Sequence, residues 1–218
     1  MQISPDVYRI EGIRGSNCYL ITVPELVLID TGMPGQAGKI LNFMARLGYD
    51  GRGLQRIILT HHDVDHIGSA AELQKLTGAE VCMHPADADC VLRRTPRRPR
   101  WKAWGSALAE AWSRFQPPRI TPLVHDGETI GPIRVIHTPG HSAGSISLKY
   151  GSVLFVGDLI QGRFYLRENF PLVNEDNAQV RASIKKIAGL DFEVLCPGHG
   201  KIIPRGVERL RDLAACWT

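Results

Sequence analysis

Short apolar runs alternate with amphipathic stretches along the chain, and glycine or proline marks nearly every switch. Residues 7–10, 17–23 and 26–29 read as strands, the last ending at Asp30-Thr31-Gly32, where a turn must follow. Ile40, Leu41, Met44 and Leu47 then recur at helical spacing and Gly48 supplies the stop, so an amphipathic helix is predicted here. A short buried strand is predicted at 56–60, a polar run at 61–66 follows it directly, and a second helix passes through Leu73 and Leu76 to about Gly78. The second half repeats this grammar: strands at 133–137, 145–150 and 153–156, a helix around 178–188, a strand at 193–195 and a terminal helix after Pro204. No sequence repeat accompanies the likeness. Two β-rich halves, each followed by helices, predict an α/β fold of two packed sheets with helices on both outer faces, a four-layer αββα sandwich in one domain spanning 1–218.

One segment breaks the pattern. Residues 93–119 carry six basic residues in the ten from Arg93 to Lys102, together with Trp101, Trp104 and Trp112. Trp101, Trp104, Leu108, Trp112 and Phe115 fall at helical spacing, which predicts a basic, proline-rich loop followed by an amphipathic helix packed on the body. The segment reads as a cap over a site, as a solvated face, or, last, as a contact for nucleic acid.

Composition narrows the class. With 218 residues, 44% of them hydrophobic and 22% charged, the chain can bury a substantial core, and disorder, collagen and coiled coil are excluded. The net charge of +4 is too mild to establish an anionic partner. Pro5, Asp6, Arg9, Glu11 and Arg14 interrupt the stretch where a signal peptide needs an apolar run, and no apolar run approaches the roughly 18 residues of a membrane span. Five cysteines without a C-x-x-C pair suit reduced thiols. A soluble cytoplasmic protein acting on a small molecule, without membrane contact, is the expectation.

Four of the eight histidines stand beside acidic or glycine-rich turn residues at predicted strand ends. The densest cluster is Thr60-His61-His62-Asp63-Val64-Asp65-His66, where Asp65 and His66 follow Asp63 in a tight loop and alternate side chains can converge on one point. Downstream, His141 sits in Thr138-Pro139-Gly140-His141-Ser142-Ala143-Gly144, Asp158 follows Val156-Gly157, and His199 lies in Cys196-Pro197-Gly198-His199-Gly200. Imidazole nitrogen and carboxylate oxygen are ligands that zinc, iron and manganese accept, and such residues would gather along one edge of stacked sheets. His84, His125 and His137 are read as packing or surface residues.

Asp30-Thr31-Gly32, the 61–66 cluster, His141, Asp158 and His199 occur in the order of the five motifs of the metallo-β-lactamase superfamily, which the chain resembles over nearly its whole length. The resemblance implies two divalent metal ions, zinc in the first instance. By position, His61, Asp63 and His141 would hold the first, Asp65, His66 and His199 the second, and Asp158 would bridge them. Asp30 would support the histidine-bearing loop through hydrogen bonds to backbone amides. One departure stands out: the family's second motif usually reads His-x-His-x-Asp-His, and here it reads His61-x-Asp63-x-Asp65-His66. Three carboxylates then face the ions where the usual pattern has two, so the first site either favours a harder ion such as manganese or iron or holds its ion weakly. The other reading of Asp63 is a hydrogen-bonding carboxylate beside a single ion. His62 should point to the opposite side and take a supporting place.

The chemistry implied is hydrolysis by a metal-bound hydroxide, since a divalent ion lowers the pKa of water from about 15.7 to about 7. Asp65 would orient the hydroxide and take its proton. A small carbonyl substrate such as a lactone, thioester or amide is expected, with Trp101, Trp104, Arg163 and Tyr165 as substrate contacts. The alternatives are a nuclease or phosphodiesterase, suggested by the arginine run, and a mono-iron oxidoreductase resembling the persulfide dioxygenases of the family.

Overall fold

The computed structural model describes residues 1–99, 104, 115–162 and 167–217. In the first half, β1 (Gln2–Ser4), β2 (Val7–Ile10), β3 (Cys18–Ile21) and β4 (Leu26–Ile29) form an antiparallel meander. Helix α1 (Ala37–Arg46) leads to β5 (Leu54–Ile58), α2 (Val64–Ile67) and α3 (Ala70–Thr77) lead to β6 (Glu80–Met83), and α4 (Pro85–Val91) precedes β7 (Ile120–Leu123). Strands β4 to β7 run parallel, as strands joined by helical crossovers do.

The second half contributes β8 (Thr129–Ile130), β9 (Ile133–His137), β10 (Ile146–Tyr150), β11 (Val153–Gly162), β12 (Arg167–Glu168), α5 (Asn177–Ala188), β13 (Val194–Gly200), β14 (Ile203–Pro204) and α6 (Gly206–Ala215). Its sheet has the order β14-β13-β11-β10-β9-β8, with β12 paired to β11. Strands β11 and β13 are parallel.

Strand periodicity explains how the sheets stack. In β3, Cys18 and Leu20 join Ile40, Met44 and Leu73 on the α1 and α3 side, whereas Tyr19 and Ile21 join Val135, Leu148 and Phe155 between the sheets. In β11, Val153 and Phe155 belong to that middle layer, while Leu154 and Val156 pack with Val180, Ile184 and Leu210 of the outer helices. Three apolar interfaces thus separate four layers, the αββα order expected. The Tyr19 and Phe155 rings lie 5.1 Å apart across the sheets, and the Tyr19 hydroxyl donates to Pro197 O at 2.7 Å. Burying each such side chain contributes about 1.5–3 kcal/mol.

The long strands and helices fall where the periodicity puts them, and the differences are instructive. The strand expected at 153–156 continues to Gly162, and that expected at 193–195 continues to Gly200. Asp158 and His199 therefore lie within paired strands, not beyond their ends, because the parallel β11–β13 pairing resumes after its register shifts. Residues 64–67 form a helical turn where the sequence suggests a tight loop. Strand β6 closes just before His84, as the His84-Pro85 pair suggests, whereas strands β1 and β7 and helix α4 are not foreseen from the sequence; each is too short to show a period. The predicted helix through 101–115 lies mostly outside the described residues. Trp104, assigned to its packed stripe, is 81% exposed, while Phe115 does pack against the first core layer. Spacing says which residues share a face, not which face meets the body. Among the described residues no helix is long and apolar enough to cross a membrane.

Candidate metal centre

The first sheet delivers its polar residues just past the ends of parallel strands: Asp30 follows β4, and Thr60 to His66 follow β5. The second sheet delivers His141 from the β9–β10 turn, Asp158 from β11 and His199 from β13. Ile146 N donates to Thr60 O at 2.9 Å, and Asn17 N to Gly198 O at 2.6 Å, so backbone bonds tie the two sheets together beside the cluster. Gly198 permits the approach: a Cβ there would stand 2.4 Å from Asp158 Oδ1 and 2.6 Å from His66 Cε1.

Seven of the residues singled out in the sequence converge. His61, Asp63 and His141 place ligand atoms within 4.8 Å of one another, as do Asp65, His66 and His199, and a third group joins His61, His66 and Asp158. Asp63 Oδ2 is 3.1 Å from His141 Nε2 and 3.5 Å from His61 Nε2. Asp65 Oδ2 is 3.1 Å from His199 Nε2. Asp158 lies between the groups, with Oδ1 3.2 Å from His66 Nε2 and Oδ2 3.4 Å from His199 Nε2 and 3.9 Å from His141 Nε2.

Hydrogen bonds behind the rings orient them. His66 Nδ1 donates to Asp30 Oδ2 at 2.8 Å, since a carboxylate only accepts. Thr60 Oγ donates to the same oxygen at 2.8 Å and so accepts from His61 Nδ1 at 3.0 Å. Asn174 donates through Nδ2 to Asn169 O and Asn177 Oδ1, which leaves its Oδ1 to accept from His141 Nδ1 at 3.1 Å. These acceptors suit rings that carry their proton on Nδ1 and turn Nε2 inward, as ligating histidines do; Asn169 Nδ2 also stands 3.3 Å from His141 Nδ1.

The inward atoms suit a cation. His61 Nε2 and Asp158 Oδ1 are buried without a hydrogen bond among the described residues. His66 Nε2 and His199 Nε2 face each other at 3.3 Å. Buried lone pairs this close repel unless positive charge lies between them, and tetrahedral coordination at about 2.1 Å spaces ligands about 3.4 Å apart. The protonation equilibria respond in the same sense. Burial and the His66 charge push His61 down to about 4. Burial would lower His66 and raise Asp158, yet the carboxylates around His66 lift it well above its ordinary value and the imidazoles around Asp158 hold it well below. The residues fit divalent cations in number, chemistry and spacing.

Asp63 occupies the N-cap of α2 yet makes no capping bond, although a carboxylate there ordinarily accepts from the first turn. Its oxygens lie among His61, His62 and His141 instead. His62 points the other way, fully buried, with Nδ1 3.0 Å from Asp87 Oδ2. Asp87, Asn169 and Asn174 escape a reading of the sequence, since each is a lone polar residue in no motif. Asn169 Nδ2 donates to Asp158 Oδ2 at 3.3 Å. His84 and His137 stack at 4.2 Å away from the groups above. Trp101, Arg163 and Tyr165 lie outside the described residues.

A profile of the metallo-beta-lactamase superfamily matches residues 12–199. The probable metallo-hydrolase YflN of Bacillus subtilis (strain 168) is 33% identical over 226 residues, covering 87% of this chain and 84% of that protein. The uncharacterized protein YobT of the same strain is 30% identical over 212 residues, covering 90% and 88%. The crystal structure of TTHA1623 in a di-iron-bound form superposes with a TM-score of 0.71 at 27% identity, covering 92% of this chain and 95% of that one. The metallo-beta-lactamase family protein TTHA1429 from Thermus thermophilus shares the fold, with a TM-score of 0.76 at 24% identity and coverage of 99% and 80%. The profile match begins ahead of Asp30 and ends on His199 itself, taking in every segment that feeds the cluster, and the chain therefore belongs to the metallo-β-lactamase superfamily.

Proposed function

We propose that this protein is a hydrolase of small carbonyl substrates, a lactone, thioester or amide, that works with two divalent cations. The observation that carries the reading is the convergence of His61, Asp63 and His141 on one side and Asp65, His66 and His199 on the other, with Asp158 between them. These residues would hold the two ions. Bound there, divalent ions supply a water of pKa about 7 and polarise the carbonyl oxygen.

The chain's own residues divide the remaining work. Asp30, Thr60 and Asn174 hold the rings with Nδ1 outward and Nε2 turned into the cluster, where it would ligate. His61 and His66 are fully buried, while Asp65 and His199 keep about a third of their side-chain surface open, 35% and 28%. Substrate therefore approaches from the Asp65 and His199 side. Burial raises the Asp65 carboxyl, but the hydrogen bond with His199 and the charges of His66 and His199 together outweigh it, and the group ionises below its ordinary range. Asp65 is thus a carboxylate at neutral pH, placed to orient water and take its proton. The exposed indole of Trp104 offers an apolar surface on the insert for the substrate's non-reacting part.

Zinc is the proposed ion of the second group. For the first, the carboxylate of Asp63 in place of an imidazole favours iron or manganese, and the likeness to a di-iron structure supports that choice. The test is metal analysis of protein purified without added metal, followed by lactone, thioester, amide and phosphodiester panels before and after chelation. Turnover of a carbonyl substrate that chelation abolishes and metal restores supports the reading. Protein without metal, or turnover indifferent to chelation, defeats it. Phosphodiester cleavage alone moves the protein to the nuclease class.

A further inference from the structure

The geometry points to Asp87 as the positioning residue of the first ligand group: the ion held by His61, Asp63 and His141 depends on it, and the ion held by Asp65, His66 and His199 does not. This rests on the two-ion reading above.

Asp87 lies in α4, a short helix that carries no ligand, and its side chain is fully buried. Its Oδ2 accepts from His62 N at 2.8 Å and from Ser142 Oγ at 2.7 Å, and its Oδ1 accepts from Gly144 N at 2.7 Å. His62 Nδ1 adds a contact at 3.0 Å. A carboxylate tolerates such burial only where donors surround it, so these positions are mutually fixed. The donors belong to two segments of chain. One carries His61 and Asp63 on either side of His62, with Asp65 and His66 a helical turn further on, and the other carries His141, so Asp87 bonds directly beside every member of the first group.

Two further observations tie Asp87 to that group. The His62 ring, wholly buried, lies between carboxylates, with Nδ1 toward Asp87 and Nε2 3.7 Å from Asp63 Oδ1. It transmits the position of Asp87 to Asp63 as a spacer. Gly144 packs so tightly on Asp87 that a Cβ would stand 2.5 Å from Oδ1, which fixes the His141 turn against α4. Among the described residues no hydrogen bond joins Asp87 to Asp65, His66 or His199.

Every partner of Asp87 presents a donor. Asp87→Asn keeps the shape but sets an amide N–H against donors, so it separates positioning from bulk packing. The experiment is cobalt(II) titration of the metal-free protein, read by visible absorption and by bound metal per chain, with Asp63→Ala and His199→Ala assigning the bands. Wild type is expected to take up two ions. Asp87→Asn should weaken the first-group ion about 10- to 100-fold and leave the second-group band and affinity in place. Two ions at wild-type affinity, or equal weakening of both, overturns the inference. Should Asp87→Asn fail to fold, Ser142→Ala decides by the same readout: a several-fold loss confined to the first group supports it, and no loss or a uniform one overturns it. Wild type that binds no cobalt defeats the two-ion reading itself. Wild type that binds one ion, on the second group only, overturns the role of Asp87 alone.

Discussion

Asp63 Oδ2 stands 3.1 Å from His141 Nε2, the two residues arriving from different sheets and 78 positions apart in the chain. With the His141 proton on Nδ1, toward Asn174 Oδ1, two electron-rich atoms face each other here, a pairing that a cation resolves. Replacing Asp63 by histidine restores the usual second motif of the family and removes one negative charge. Asp63→His is expected to retain zinc more tightly in the first group, measured by competition with a chromophoric chelator. Unchanged zinc affinity would show that this side chain does not ligate.

Asp30 reaches both groups at once, since its Oδ2 accepts from His66 Nδ1 and from Thr60 Oγ, which in turn orients His61. Asp30→Asn replaces an acceptor by a donor at one of these contacts. Both ions should weaken together, by about 10- to 100-fold, in the same cobalt titration. A loss confined to one group would contradict this arrangement. The contrast with Asp87 is the diagnostic feature.

The Asp87 carboxyl ionises at about 2 instead of its ordinary 3.8. Burial alone would raise it, but the His62 ring and the hydrogen bonds from His62 and Ser142 outweigh that. A carboxyl depressed on folding contributes stability that is present above pH 3.8 and is lost as pH falls through about 2. The contribution is about 2 kcal/mol at neutral pH. Urea unfolding of the chelated protein should therefore show the gap between wild type and Asp87→Asn closing over that acidic window. A gap independent of pH would mean that the Asp87 charge adds nothing to stability.

Phe155 fills the layer between the sheets, three positions before Asp158 on the same strand. Phe155→Ala should lower unfolding free energy by about 3–5 kcal/mol, through lost burial and the cavity left opposite Tyr19. Calorimetry of the metal-loaded protein checks it. A change below about 1 kcal/mol would mean that the two sheets do not depend on this contact.

Much of the centre is legible in the chain because metal-ligating side chains concentrate in short motifs beside glycines and strand ends. His61, Asp63, Asp65, His66, His141, Asp158 and His199 all come from such motifs, and the structure brings them together. Asp87, Asn169 and Asn174 are not legible. Asp87 meets Ser142 and Gly144 across 55 and 57 residues, and nothing in the neighbourhood of His84-Pro85 announces those partners. The stretch at 64–67 reads as a loop because its four residues are too few to display a helical period.

The amino-acid order alone determined the alternation of strand and helix, the layered class, the histidines and carboxylates that form the candidate centre, and the presence of a carboxylate at position 63. These are properties of neighbouring residues, whose periodicity and chemistry do not depend on what lies across the molecule. Tertiary structure decided which nitrogen of each ring faces inward, that Asp158 lies between the two groups, and that a buried aspartate on a helix outside the cluster binds two of the segments that feed it. Hydrogen-bond partners and burial are set by distances between segments far apart in the chain, and those distances exist only once the two sheets have packed.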